Sequence, residues 1–226
     1  MTAVFENEEM IGDQLSGAED AMLQDHLLNI IAGNSDLLKA LFQDNMKQIR
    51  AAAAVAKNQL GTAFGGMMPG DTEFGVQLTR PFHILRTTAT VEAVTNDWTV
   101  TLTADGDYWI GYSTNNTTAI NIDKRAVVLP LGILFTQGVN PTVEELYFQI
   151  NGTQYPVQVV RHSWFADNDW DARFCRVRLG LWVGKAQILG QVYSITAAQQ
   201  QLVMLGLTFA SGQYMRVQEG SGTPQT

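Results

Sequence analysis

The segment LGTAFGGMMPGDTEFG (Leu60 to Gly75) separates two parts of the chain whose apolar residues recur with different periods. Its five glycines and one proline cannot carry a helix through. On its N-terminal side, Met22, Leu23, Leu27, Ile30 and Ile31 recur at three- and four-residue spacing, the signature of one helical face. GNSD (Gly33 to Asp36) interrupts that face, with Gly33 suited to a helix C-terminus and Asn34 or Ser35 to the next cap. Leu38, Leu41, Phe42, Met46 and Ile49 resume it and run into AAAAVAKNQL. Those alanines favour helix and leave a thin side that another backbone can approach. The two segments are expected to form a helical hairpin or one kinked helix. Neither buries its apolar stripe alone, so the stripe must dock on the rest of the chain or on a neighbour.

Beyond Gly75 the period is two. TTATVEAVT and WTVTLTA flank Asn96-Asp97, a plausible tight turn, and Asp105-Gly106 suggests a turn within ADGDYWIGY. ELYFQI and TQYPVQVV flank Asn151-Gly152, the strongest hairpin signal in the chain. RFCRVRLGLWV, AQILGQVYSIT, QLVMLGLTFA and QYMRVQE read as further strands. AVVLPLGILF (Ala126 to Phe135) is an unbroken apolar run. It is half the ~20 residues of a membrane-spanning helix and contains Pro130 and Gly132, so it reads as a buried strand. The expected fold is mainly β: an antiparallel β-sandwich, jelly-roll-like, with an N-terminal α-helical arm. The expected boundaries are an acidic segment and helical arm over 1–60, a Gly-rich hinge over 61–75, the sandwich body over 76–218 and a polar tail over 219–226.

Composition narrows the function. Hydrophobic residues make up 46% of the 226, enough for a substantial core. Charged residues are only 16%, below the roughly 25% of ordinary soluble domains. That deficit suits a surface packed against neighbours and equally an ordinary neutral β-protein surface. The formal net charge is −8 and no basic stretch occurs, which argues against direct nucleic-acid binding, driven as it is by Lys and Arg on phosphates. The acids Glu6, Glu8, Glu9, Asp13, Glu19, Asp20 and Asp25 precede any Lys or Arg. They fit either a solvated end near a helix N-terminus or an arm that docks on a basic neighbour. The acidic N-terminus does not read as a signal peptide, and no transmembrane segment is expected.

Little of the sequence looks like chemistry. WFADNDWDAR places Asp167, Asp169 and Asp171 at alternate positions. A helix–loop–helix calcium site needs Gly at position six and Glu at position twelve, where this chain has Ala172 and Arg178. The three carboxylates are therefore either a solvated loop or the candidate ligands of a structural cation. The pairs Asp105/Asp107 and Glu144/Glu145 show no reason for a raised pKa. His26, His83 and His162 have no metal-ligand spacing. The single cysteine, Cys175, lies in a strand-like stretch and reads as a small core residue. Asn115 to Thr118 and Asn151 to Thr153 match the glycan acceptor pattern, which is common by chance in a Thr/Asn-rich chain. No catalytic residue, no cofactor and no enzyme activity are expected.

The layout LLKALFQDNMKQIRAAAAVAKNQL, then GTAFGGMMPG, then the strand series to QYMRVQ, resembles structural proteins of icosahedral viruses and phages. The resemblance implies a virion structural protein, capsid or capsid-associated, assembled in the host cytoplasm and acting as a homo-oligomer. Its partners would be copies of itself and other virion proteins. The arm would reach a neighbour through Met22, Leu27, Ile30, Leu38, Leu41, Phe42 and Ile49. Trimeric fibre heads and tumour-necrosis-factor-like ligands share the layout. They imply the alternative of a trimeric receptor- or glycan-binding head on a helical stalk, with Trp109, Tyr112, Trp164 and Trp170 as contact groups.

Overall fold

The computed structural model describes residues 15–32, 36–66, 69–70, 72–84, 98–102, 107–110, 120–135, 143–155, 158–159, 174–194 and 196–217. Among the described residues, three helices come first. Helix α1 spans Gly17–Ala32 and opens on a capping box: the Glu19 amide donates to Ser16 Oγ at 3.3 Å, and the Ser16 amide donates to Glu19 Oε2 at 2.9 Å. Helix α2 spans Asp36–Asp44 and α3 spans Met46–Leu60. The expected second helix is thus divided at Asn45, whose side-chain amide donates to the Leu41 carbonyl at 2.7 Å. Helix α3 ends where Gly61 takes the left-handed conformation, φ 64°.

The strands are β1 (Ala63–Phe64), β2 (Glu73–Leu78), β3 (Thr99–Leu102), β4 (Asp107–Ile110), β5 (Ile120–Asn121) and β6 (Ala126–Phe135). They continue as β7 (Val143–Ile150), β8 (Thr153–Gln154), β9 (Gln158–Val159), β10 (Phe174–Arg176), β11 (Gln187–Ser194) and β12 (Ala198–Ser211). Two short helices complete the order, α4 (Pro81–Ile84) and α5 (Gly212–Val217). The first sheet runs β1-β2-β12-β6-β10, with β3 also on β12. The second runs β4-β11-β7-β8, with β5 on β11 and β9 on β7. All described pairings are antiparallel except β1 with β2. Asn151 and Gly152 form the β7–β8 turn with φ 50° and 79°, the paired positive values that a two-residue hairpin turn requires.

Side-chain alternation builds three layers. One core lies between the sheets and includes Val128, Ile133, Phe135, Leu146, Phe148, Ile188, Val192, Leu202 and Met204. The other lies between the first sheet and the helices, joining Leu23, Leu27, Leu41, Phe42 and Ile49 to Val76, Val127, Leu129, Leu207 and Phe209. Strand β6 is covered on both faces, and nine of its ten residues are buried. That explains why its sequence has no polar alternation. Its Pro130 is tolerated beside a bulge, where the register passes from Leu205↔Gly132 to Gly206↔Pro130 and Leu131 becomes the extra residue. The bulge also changes parity: Val127, Leu129 and Leu131 face the helices, whereas Ile133 and Phe135 face the second sheet.

Several expectations are corrected. QYMRVQE is not a strand over its described residues, because the chain turns into α5 after β12. The Tyr214 amide donates to Ser211 Oγ at 3.3 Å, and the buried Tyr214 ring lies under the Arg125 guanidinium at 5.3 Å. Among its described residues RFCRVRLGLWV forms a strand over Phe174–Arg176, and beyond it Trp182 makes a single bridge to Val128. Within 61–75 the described backbone forms β1 and the start of β2. Gly75 is a strand residue, and a Cβ there would collide with the Gly66 carbonyl oxygen. Glycine at 75 permits this close backbone contact. The helices share a core with the first sheet. The turns expected at Asn96-Asp97 and Asp105-Gly106, and the tail over 219–226, lie outside the described residues.

Candidate functional site

The residues expected at an assembly contact divide into two groups. Leu27, Leu38, Leu41, Phe42 and Ile49 are buried against the chain's own first sheet. The chain's own first sheet covers them, and docking there is the local way to remove the apolar stripe from water. Ile30 is half-buried in the same cluster, whereas Met22 stays 44% exposed. Leu28, not anticipated, is 61% exposed on α1.

Charged groups in this layer serve as internal ties. Arg50 Nε donates to Asp20 Oδ1 at 2.7 Å, and Lys57 Nζ donates to Glu19 Oε2 at 2.8 Å, joining α1 to α3. Burial pushes the Glu19 carboxyl up, but hydrogen bonds from Lys57 and Ser16 outweigh it and hold the group down at about 2. The Asp20 carboxyl is lowered chiefly by Arg50. Two of the N-terminal acids therefore dock on basic residues of their own chain.

Asp167, Asp169 and Asp171 lie outside the described residues, as do His162, Tyr112, Trp164 and Trp170. Trp109, expected as an exposed contact group in the alternative reading, is instead buried between the sheets against Phe148. Cys175 packs against the same core, and burial pushes its thiol up, away from the reactive thiolate.

The surface that sequence reasoning missed is the outer face of the second sheet. Leu146, Phe148, Ile150, Ile188 and Val192 point into the core, so the alternation sends Glu145, Tyr147, Gln149, Gln187, Leu189, Gln191 and Tyr193 to the opposite face. Cross-strand register sets Leu189 opposite Gln149, Gln191 opposite Tyr147 and Tyr193 opposite Glu145. The diagonal pair Tyr147 and Tyr193 brings its rings to 4.9 Å at an interplanar angle of 58°. Tyr147 Oη donates to Glu145 Oε2 at 3.0 Å, and that hydrogen bond raises the phenol. Tyr193 remains 38% exposed. The signal was present in VEELYFQI and QILGQVYS, where the alternate residues Glu145, Tyr147, Gln149, Gln187, Gln191 and Tyr193 are polar or aromatic. The expectation used this alternation to locate strands and did not follow its outward half. Tyrosine enrichment with little charge is the composition of an interface centre. No protein-family model and no curated protein matches this chain.

Proposed function

We propose that this chain is a virion structural protein, part of a capsid or attached to one, built on a jelly roll that assembles with its own copies. The pairing pattern of the strands carries the reading. Taken in chain order, β2–β3, β4–β5, β6, β7, β8–β9, β10, β11 and β12 occupy eight positions. The first pairs with the eighth, the second with the seventh, the third with the sixth and the fourth with the fifth. One long antiparallel hairpin has this pattern. Rolling it up brings the third position beside the eighth and the fourth beside the seventh, matching β6 with β12 and β7 with β11. Two interleaved Greek keys of this kind make the jelly roll, a scaffold of capsid and lectin domains.

In this reading α1–α3 thicken one side of the body, and copies meet through the outer face of the second sheet. The protein is no enzyme and needs no cofactor, with Asp167, Asp169 and Asp171 kept as candidate ligands of a structural cation. Its partners are its own copies and other virion proteins, with no direct nucleic-acid contact, and it resides in the virion. The solution mass by light scattering tests this, comparing the full chain with the double variant Leu189→Lys, Tyr193→Lys. The expected result is an oligomer, sheet or shell for the full chain and a folded monomer for the variant, because repeated lysines in a contact repel. A full chain that stays monomeric at all attainable concentrations refutes the assembly reading. The outward Tyr147–Tyr193 pair, with Tyr193 exposed, also favours the alternative, a trimeric glycan- or receptor-binding head. A discrete trimer that survives the double substitution and loses glycan binding with it selects that reading.

A further inference from the structure

The helix–sheet core holds an imidazole that does not match its surroundings. His26, on α1, is 7% exposed, and its Nε2 is buried with no hydrogen-bond partner. The ring stands edge-on to Phe64, with centroids 6.2 Å apart at 84°. On another side it faces the Gly66 backbone: a Cβ at Gly66 would lie 3.8 Å from the imidazole Cε1 and 3.9 Å from the Met22 sulfur. Leu23 and Leu27, its neighbours on the helix, are buried in the same core. A neutral imidazole is tolerated in such a setting, whereas an imidazolium needs an acceptor or a carboxylate.

The charged groups on every element packed against α1 have other assignments or other places. On α1 itself, Glu19 and Asp20 hold Lys57 and Arg50 of α3, and Asp25 is the residue before His26. Helix α3 adds Lys47, and α2 carries Asp36, Lys39 and Asp44. From the β1–β2 side, Glu73 accepts from the Gly70 amide at 2.8 Å, and Asp71 lies outside the described residues. None of the described groups makes an ion pair with the imidazole. Its pKa is lowered, with burial as the cause.

We propose that α1 is an acid-released latch: protonation of His26 frees this helix from the first sheet while the body stays folded, uncovering Leu23, Leu27 and their sheet partners. The two ion pairs do not act as the trigger. With its carboxyl held at about 2, Glu19 keeps its charge through mild acid, and Asp20 is lowered in the same direction. The sign follows from linkage. A released imidazole titrates near the ordinary value of about 6.5, and the docked one lower. Above the released value the latch is unaffected. As pH falls from there toward the docked value, undocking becomes easier by up to about tenfold per pH unit.

Amide hydrogen exchange on the full chain tests the latch at about pH 7.5 and about pH 5, with intrinsic rates corrected. The expected result is a loss of protection of about tenfold or more in residues 17–32, with residues 46–60 and 198–211 unchanged. In His26→Gln that selective loss should vanish. His26→Phe gives the same readout if the glutamine variant does not fold. Three results overturn the proposal: no change in residues 17–32 of the natural chain, an equal loss in the variants, or a uniform loss across all segments. Titration of the imidazole by NMR in the natural chain is independent of any variant, and a midpoint at or above about 6.5 also overturns it.

Discussion

Replacing Leu41 with aspartate asks directly where the helices belong. Leu41 is 1% exposed and sits in the core shared by α1–α3 and the first sheet. Truncating a buried leucine to alanine costs about 2–5 kcal/mol. Aspartate adds the cost of placing a carboxylate among apolar side chains, several kcal/mol more unless it is neutralised. The sum is comparable to the roughly 5–15 kcal/mol that holds a whole domain together. Leu41→Asp is therefore expected to abolish folding, read as loss of the cooperative urea transition by circular dichroism. Leu41→Ala is expected to stay folded, with its midpoint lowered by about 1–2 M at the urea slopes usual for small domains. Leu28→Asp serves as the control. It lies on α1 but is 61% exposed, so its change should stay within about 0.5 kcal/mol. A Leu41→Asp protein that keeps the natural transition and loses only its ability to assemble would refute the intramolecular core. It would restore α2 as a helix that meets a neighbour.

Further expectations concern glycines, charge and assembly. Gly75→Ala should lower the melting temperature markedly, because its Cβ meets the Gly66 carbonyl oxygen and Pro69. Gly17→Ala has open space at the start of α1 and should stabilise by about 0.4–1 kcal/mol; equal effects at the two sites would contradict the packing. Glu19→Gln should destabilise at neutral pH. In the natural chain the Glu19 contribution is complete above its ordinary carboxylate range and is lost as pH falls through about 2. A natural-minus-variant stability difference that disappears already near neutrality would contradict the Lys57 and Ser16 contacts. The lysine pair at Leu189 and Tyr193 should abolish assembly without changing the circular dichroism spectrum.

How much was legible in the sequence differed between elements for physical reasons. Local patterns were readable. Period-two alternation located β7, β11 and β12, Asn151-Gly152 located a turn, and the unbroken apolar run located β6 as a strand covered on both faces. Each of these follows from residue preferences within a few positions. The capping box Ser16 to Glu19 is equally local, a Ser followed three residues later by Glu. The candidate surface was half readable, since alternation names the outward residues but not which of two faces stays open.

Distant partners were not readable. The amphipathic faces of α1–α3 required a cover, and the sequence was silent on whether that cover was the chain's own sheet or a copy. Val127, Leu129, Leu207 and Phe209 supply it, from strands far along the chain. The glycines of 61–75 showed only that a helix must stop. Close contact of Gly66 with Gly75, and of Gly70 with Gly212, gives them their use. QYMRV was expected as a strand, yet Ser211 capping and the seat of Tyr214 beside Arg125 accompany its helix. By itself, then, the sequence determined which segments are amphipathic and with what period, because that depends on local side-chain geometry. Only the tertiary structure decided which faces meet, because burial of an apolar stripe constrains its surroundings to be apolar without naming them.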